Sequence, residues 1–369
     1  MKIVVLGGTG DMGSAAVQDL LQFTDVQQVT IAARNTAAAE KLATRLGDPR
    51  AVVQKVEATS HEDLVRVMQG HDVAAGALGP FYRFEKPLVE AALVAGVDYV
   101  SICDDHDAMQ AVLPLDRAAA EKGRKILVGL GWTPGITNIF ARKGYDELEE
   151  VETIRVYWAG SAGDSEGLAV ILHTLHIFTG KVASFQDRQL IDVKAGSGKE
   201  TALFPEPLGK ITVFHLGHPE PITLPRNLPG VREVTLKGGL AENYLHSLAK
   251  MMVTLGLTST ANRKEKLGML MKKLLPLFPV DKNRSLSGAK VEITGKRNGK
   301  KVRITYATVD QMRRLTGIPL SIGACLLAKG KIKRCGVFGP EAEGAIDPDP
   351  FLQELARRDI KVHRLETEV

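Results

Sequence analysis

Short apolar runs alternate with helical patterns over the first 145 residues of the chain. Runs of this kind predict strands, and the amphipathic stretches between them, for example 36–46, 61–68 and 85–95, predict helices. Strict alternation is typical of a doubly wound parallel sheet with the strand order 3-2-1-4-5-6. The predicted strands are 3–6, 28–33, 51–56, 73–77, 98–102 and 125–129.

The pattern changes near residue 150, because strands and helices no longer alternate strictly. Asn298-Gly299 between two alternating runs is a strong signal for a β-hairpin over 289–296 and 301–307. A mixture of this kind indicates an α+β domain. The other predicted elements are strands at 153–158, 210–215 and 361–365 and helices at 166–178, 243–255, 264–275, 309–315, 320–328 and 351–357, with a turn-rich stretch at 335–341.

A glycine motif lies between the first predicted strand and the first predicted helix. Gly8-x-Gly10-x-x-Gly13 in this context is the fingerprint of a Rossmann dinucleotide-binding domain. Gly8 is expected to allow the tight turn, Gly10 the approach of a pyrophosphate, and Gly13 close packing of helix on strand. The predicted cofactor-binding residues of this loop are Gly8, Thr9, Gly10, Asp11, Met12 and Gly13.

The second predicted strand ends at Arg34-Asn35, where an NAD-specific site usually has an acidic residue. A planar guanidinium can instead form paired hydrogen bonds with a 2′-phosphate. We therefore predict that Arg34 and Asn35 bind NADP. The alternative interpretation is an arginine that simply faces solvent.

Three further loops follow the fourth, fifth and sixth strands and are expected to meet beside the nicotinamide. Leu78, Gly79 and Pro80 are predicted to contact the cofactor. The polar residues Asp105 and His106 are candidates for the proton carrier that C–N chemistry needs, and Tyr82 is a third catalytic candidate that could donate to a substrate nitrogen or carboxylate. An equally good interpretation makes Asp104-Asp105 a helix N-cap and first-turn acid. Thr133, Pro134 and Gly135 are predicted to bind a substrate carboxylate at a helix start, with Thr133 as the N-cap.

Composition limits the possible partners. Apolar residues make up 44% and charged residues 25%, as in globular proteins, and the net charge is only +5. Basic residues are scattered, so nucleic acid is not an expected partner, and no apolar run reaches membrane-spanning length. The first strand begins at the start of the chain and the three cysteines show no metal-ligand spacing. A cytoplasmic protein without a signal peptide or a bound metal is therefore expected, although His173 and His176 lie three residues apart.

Several motifs occur in an order that resembles the saccharopine dehydrogenase-like family. They are the glycine motif 8–13, Arg34-Asn35, the segments 77–80 and 92–99, the segment 131–138, Thr316-Gly317-Ile318-Pro319 and Gly336-Val337-Phe338-Gly339-Pro340-Glu341. Two positions depart from the family pattern: Ser101 follows Tyr99-Val100 where many relatives have an acid, and no acid lies between Thr133 and Pro134. Both departures lie in the predicted active-site loops, so they concern the substrate.

The resemblance implies pyridine-nucleotide oxidoreductases that act on C–N bonds of amino acids, such as saccharopine reductases, lysine dehydrogenases and carboxynorspermidine dehydrogenases. It also implies a split architecture, with a dinucleotide-binding domain at 1–148, an inserted α+β substrate and dimerisation domain at 149–308, and a segment 309–369 that returns to the first domain. The expected function is NADP-dependent reduction of an imine, or its reverse, on an amino-acid-like or polyamine-like substrate by a homodimer. The alternatives are oxidative deamination of a free amino acid and a non-catalytic NADP-binding regulatory protein.

Overall fold

The computed structural model describes residues 1–164, 167–274 and 285–369. This part of the chain forms two compact units. The first contains Met1–Gly135 and Arg313–Asp347, and the second contains Ile136–Met312 and Pro348–Val369. The segment 136–312 of the second unit thus interrupts the sequence of the first, and the segment 348–369 of the second unit follows it. The domain boundaries expected from the sequence, at 148/149 and 308/309, stay a prediction.

The strands follow the predicted positions closely in the first half of the chain. In chain order they are β1 (Lys2–Leu6), β2 (Gln28–Ala33), β3 (Ala51–Lys55), β4 (Val73–Gly76), β5 (Asp98–Ser101), β6 (Lys125–Leu127), β7 (Glu150–Gly160), β8 (Lys181–Gln186), β9 (Gln189–Lys194), β10 (Glu200–Leu203), β11 (Lys210–His215), β12 (Glu233–Leu240), β13 (Ser287–Arg297), β14 (Lys300–Asp310), β15 (Gly336–Phe338) and β16 (Val362–Glu368).

Helices separate these strands, and a short 3₁₀ turn lies at Leu113–Leu115. The helices are α1 (Asp11–Phe23), α2 (Thr36–Leu46), α3 (His61–Met68), α4 (Phe81–Ala95), α5 (His106–Val112), α6 (Asp116–Glu121), α7 (Ile136–Asp146), α8 (Leu168–Ile177), α9 (Glu220–Asn227), α10 (Asn243–Thr254), α11 (Ala261–Leu274), α12 (Met312–Ala328) and α13 (Pro348–Ala356). Residues 166 and 275, the predicted start of α8 and end of α11, lie outside the described residues.

Seven of the described strands form the sheet of the first unit, in the order β3-β2-β1-β4-β5-β6-β15. Neighbouring strands pair in parallel throughout. The predicted order of the first six strands is confirmed. The last strand, β15, comes from the segment that returns to the first unit. The sequence predicted only turns there, because a strand of three residues next to glycines and a proline gives too short a pattern.

Helix α12 precedes β15 and corrects a second prediction. The sequence predicted two helices, at 309–315 and 320–328, but β14 extends to Asp310 and α12 continues through Pro319. Gly317 permits α12 to pack closely on α1, since a Cβ there would lie 2.6 Å from the Met12 carbonyl oxygen. Tertiary packing has therefore outweighed the proline signal for a helix end.

Nine of the described strands form the mixed sheet of the second unit. Its main path is β10-β11-β12-β7-β13-β14-β16, and β8 pairs with β12 and with β9. Strands β7 and β12 pair in parallel, whereas β13 and β14 form the predicted hairpin. Asn298 and Gly299 have φ angles of 51° and 74°, as a type I′ turn requires. The predicted α/β fold with an inserted α+β domain is confirmed. Within the described ranges, no helix is long and apolar enough to cross a lipid bilayer.

Candidate cofactor and active site

The glycine loop connects β1 to α1 at the carboxyl edge of the parallel sheet. Gly7 has a φ of 80°, and a Cβ on it would lie 2.5 Å from the Ala77 carbonyl oxygen. The Gly10 N–H donates to the Gly7 carbonyl oxygen over 2.9 Å and closes the turn. Gly7, and not Gly8, is the residue with positive φ in this turn, and the role predicted for Gly8 stays a prediction. The Gly7-Gly8 doublet was the signal in the sequence that could have indicated this.

Gly13 and Gly10 have different surroundings in this loop. A Cβ on Gly13 would lie 2.3 Å from the Gly7 carbonyl oxygen, so Gly13 permits close packing of the helix on the loop after β1, whereas the sequence predicted packing on the strand. Gly10 is the N-cap residue of α1, and a Cβ there would meet only the Gly7 carbonyl oxygen, at 3.2 Å. Thr9, Gly10 and Asp11 are exposed and Met12 is partly exposed. The first-turn N–H groups of α1 therefore form an open anion-binding position that fits a pyrophosphate.

Arg34 and Asn35 follow β2, the neighbour of β1 in the sheet. The Asn35 side chain accepts a hydrogen bond from the Ala38 N–H over 3.2 Å and caps α2. Arg34 is exposed. Hydrogen bonds from Thr59 lower the pKa of the Glu57 carboxyl, and the nearby Arg34 charge lowers it further. A guanidinium and a capped helix start thus lie together at the end of β2, an arrangement that suits a 2′-phosphate.

The loop after β4 lies directly against the glycine loop. The Ala77 N–H donates to the Leu6 carbonyl oxygen over 2.8 Å, which aligns the two strand ends. The following residues, Leu78, Gly79 and Pro80, are partly exposed, and the Gly79-Pro80 peptide bond is cis. The three predicted contact residues therefore lie at the same edge of the sheet as the glycine loop.

Asp105 has a structural role that neither interpretation of the sequence included. It occupies the N-cap position of α5, but its side chain makes no hydrogen bond to that helix. Its Oδ2 atom instead accepts from the Tyr82 backbone N–H over 2.9 Å, so it caps α4. Asp105 is fully buried, whereas Tyr82 and His106 are partly exposed. The catalytic assignments of these three residues stay predictions.

A fully buried carboxyl group on α4 was missed by the sequence analysis. Glu85 accepts hydrogen bonds from Ser101 Oγ over 2.5 Å and from the Tyr99 hydroxyl over 3.1 Å. Burial raises the pKa of Glu85 to about 7, against the hydrogen bonds from Ser101 and Tyr99 and with a smaller contribution from the charges of Asp105 and Asp104. Burial also raises the pKa of the Tyr99 hydroxyl well above its usual range. Glu85 therefore keeps its proton to a higher pH than an exposed glutamate does.

The loop after β6 differs from its prediction. Thr133 is not a helix N-cap, because α7 begins only at Ile136. The Thr133-Pro134 peptide bond is cis, and the Gly131 N–H donates to the Pro134 carbonyl oxygen over 3.0 Å. Gly135 has a φ of 127°, and a Cβ there would lie 2.1 Å from the Gly131 carbonyl oxygen. This tight loop replaces the predicted helix start. The predicted contact of Thr133, Pro134 and Gly135 with substrate stays a prediction.

Comparison with known proteins agrees with this geometry. Residues 3–127 match the saccharopine dehydrogenase NADP binding domain, and residues 131–360 match the saccharopine dehydrogenase C-terminal domain. Carboxyaminopropylagmatine dehydrogenase from Synechocystis sp. is 22% identical over 99% of this chain and 98% of its own. The apo structure of saccharopine dehydrogenase (L-Glu forming) from Saccharomyces cerevisiae has a TM-score of 0.71 and 16% identity over 99% of both chains. The glycine loop and Arg34 thus lie within the segment that matches an NADP-binding domain.

Proposed function

Because this chain belongs to the saccharopine dehydrogenase family and is an NADP-binding oxidoreductase of that type, we propose that it acts on a C–N bond. The proposed reaction is the reduction of an imine, formed from an amine and a carbonyl compound, to a secondary amine or amino acid, or the reverse. The observation that carries this proposal is the open glycine loop beside Arg34 at the carboxyl edge of the parallel sheet. Ligands of such sheets bind at this edge.

Different residues at this edge are proposed to bind different parts of NADP. The N–H groups at the start of α1, after Gly10, would hold the pyrophosphate, and Arg34 with Asn35 would hold the 2′-phosphate. Gly79 and Pro80 would contact the nicotinamide. When bound, the nicotinamide supplies or accepts the hydride.

The reaction also adds one proton to the substrate nitrogen, or removes it, and this requires a proton carrier. His106 is the proposed carrier, because it is partly exposed at the start of α5 and imidazole titrates near neutral pH. Tyr82 is a proposed hydrogen-bond donor to the substrate. Asp105 is buried and already caps α4, so positioning suits it better than proton transfer.

The proposed substrate is amino-acid-like or polyamine-like. The name carboxyaminopropylagmatine dehydrogenase, carried by a relative that aligns along the whole chain, supports a polyamine-like compound with a carboxylate. Thr133, Pro134 and Gly135 are proposed to contact that carboxylate through the loop after β6. Oxidative deamination of a free amino acid is the second candidate reaction.

An absorbance assay with purified protein tests the proposal. NADPH consumption is measured with pairs of amines, including agmatine and diamines, and carbonyl compounds that carry a carboxylate. Consumption that needs both partners supports imine reduction, whereas NADP reduction by one free amino acid alone supports deamination. NADPH binding without turnover on any pair would support a non-catalytic regulatory protein instead.

A homodimer in the cytoplasm is also proposed. The cysteines Cys103, Cys325 and Cys335 form no disulfide bond, as expected in a reducing compartment. Helices α10 and α11 and the C-cap residue of α10 expose large apolar side chains, which proteins usually bury in contacts with other chains. Examples are Met251 at 52%, Leu255 at 65%, Met269 at 51% and Leu270 at 51% exposure.

Sedimentation velocity tests the homodimer. Leu255→Lys is expected to shift the protein toward monomer, because a charge at the C-cap of α10 would oppose burial of the apolar face. Val94→Lys is the matched control, because Val94 is 60% exposed but lies on α4. A monomeric wild-type protein, or equal effects of both substitutions, would contradict this interface.

A further inference from the structure

Hydrogen bonds between α4 and the end of β5 run in both directions. The Glu85 carboxyl of α4 accepts from two side chains of β5, Tyr99 and Ser101. The Asp105 carboxylate, in the loop after β5, accepts from the Tyr82 N–H at the start of α4. All four side chains that take part, Glu85, Tyr99, Ser101 and Asp105, are fully buried. We call these four side chains and the Tyr82 N–H the Glu85 network.

The Glu85 network lies where two loops leave the sheet. Strands β4 and β5 are parallel neighbours with Gly76 opposite Ser101, and the Ile102 N–H donates to the Gly76 carbonyl oxygen over 3.1 Å. The Tyr99 hydroxyl lies against Gly76, because a Cβ on Gly76 would be 2.2 Å from the hydroxyl oxygen. The absence of a side chain at Gly76, the last residue of β4, therefore makes room for the Tyr99 hydroxyl of the network. The network thus sets the position of both loops, 77–80 and 102–105.

Buried networks of this kind fix one arrangement when every member is satisfied. Glu85 accepts one hydrogen bond on each carboxyl oxygen, so its removal would leave two buried hydroxyl groups without their partner. The loop 77–80 is joined to α4, whose first turn is held by Asp105. A change at Glu85 can therefore reach the loop without any direct contact with a ligand.

We propose that Glu85 is a positioning residue that holds the loops 77–80 and 102–105 in the arrangement needed by the nicotinamide half of NADP. The inference rests on the proposed function, in which Gly79 and Pro80 contact the nicotinamide. Glu85 is fully buried and acts through Tyr99 and Ser101, not on the cofactor itself. The adenosine half is instead proposed to contact the glycine loop, which follows β1, and Arg34, which follows β2. Neither belongs to the Glu85 network.

The test compares two ligands that share the adenosine half. NADPH binding is measured by its fluorescence, and binding of 2′,5′-ADP, which has no nicotinamide, by calorimetry. Glu85→Ala is expected to weaken NADPH binding by about tenfold, the equivalent of one ordinary hydrogen bond, and to leave 2′,5′-ADP binding unchanged. Glu85→Gln is expected to bind both ligands like the wild type, because an amide can still bond to both hydroxyl groups. Glu90→Ala is the matched control, since Glu90 is a partly exposed residue of the same helix that pairs with Lys86.

The outcomes separate a positioning role from a general loss of structure. Equal weakening of NADPH and 2′,5′-ADP, or no weakening of either, would overturn the inference. If Glu85→Ala does not fold, the triple variant Glu85→Leu with Tyr99→Phe and Ser101→Ala removes both ends of the same two hydrogen bonds without a large cavity, and the same split between ligands is expected. A wild-type protein that binds neither ligand would overturn the proposed function itself, whereas normal wild-type binding with unaffected variants overturns only the role of Glu85.

Discussion

Glu85→Gln is expected to change the pH dependence of stability of the first unit. The Glu85 carboxyl is fully buried, and burial raises its pKa from the ordinary 4.5 to about 7. At about 1.4 kcal/mol per pKa unit, this shift corresponds to about 3 kcal/mol. Glutamine retains the shape and the hydrogen bonds but carries no titrating group, so the substitution removes this contribution.

The sign follows from the proton balance of the folded and unfolded states. Below about pH 4.5 the carboxyl is protonated in both states and contributes no difference. Between pH 4.5 and about 7 the folded state keeps the proton that the unfolded state has lost, so the free energy of unfolding falls as pH rises. Above about pH 7 the whole penalty of a buried charge is present. The groups that face this carboxyl, Tyr99, Cys103, Asp104 and Asp105, add no cation that would offset the penalty.

Urea unfolding followed by tryptophan fluorescence measures this effect. The chain has two tryptophans, and Trp158→Phe leaves Trp132 in the first unit as the reporter. In that background, Glu85→Gln is expected to be more stable than its parent by about 3 kcal/mol near pH 8 and by only about 1 kcal/mol near pH 5. Glu90→Gln, on the same helix, serves as the control. A stability difference between Glu85→Gln and its parent that is the same at both pH values would refute the reasoning.

Three further predictions concern the proposed cofactor and proton sites. Arg34→Asp is expected to raise the Michaelis constant for NADP by about tenfold to a hundredfold, because charge-assisted hydrogen bonds are lost, and to change that for NAD little. Equal effects on both cofactors in steady-state assays would contradict the 2′-phosphate role. Gly10→Ala is expected to keep the melting temperature and lose NADPH affinity, whereas Gly13→Ala should lower the melting temperature, because a Cβ there would lie 2.3 Å from the Gly7 carbonyl oxygen. His106→Gln is expected to keep NADPH affinity, to reduce turnover by about a hundredfold and to change the shape of the pH–rate profile. Unchanged turnover would exclude His106 as the proton carrier.

Most of the first unit could be predicted because local sequence signals mark where its helices begin and end. The predicted helices at 36–46 and 61–68 have the observed bounds, as α2 and α3. Caps at Asn35 and Ser60 explain this agreement, since each side chain accepts from the N–H three residues later. Strand β15 could not be predicted, because its three residues pair with β6, which is distant in sequence.

The candidate site was predictable in its location but not in its details. Glycine spacing located the loop after β1, yet the φ angle that distinguishes Gly7 from Gly8 depends on how close Ala77 approaches. The prediction of Thr133 as an N-cap rested on its residue type and on the proline that follows it. Whether a helix begins there depends on the hydrogen bond between Gly131 and Pro134, which no local pattern encodes.

Glu85 shows that a charged residue within an apolar helix face is the most useful sequence signal for a site of this kind. Phe81, Leu88, Val89 and Ala92 share its helical face and are buried, so a charged residue lies within an apolar stripe. Acidic residues are almost never fully buried without partners, so this position requires hydroxyl donors from a neighbouring element, and Tyr99 and Ser101 of β5 supply them. A leucine would fill the same space, but apolar packing tolerates small shifts of helix against strand. Hydrogen bonds of defined direction do not, and a site that must orient a nicotinamide ring for hydride transfer needs that precision more than it needs about 3 kcal/mol of stability.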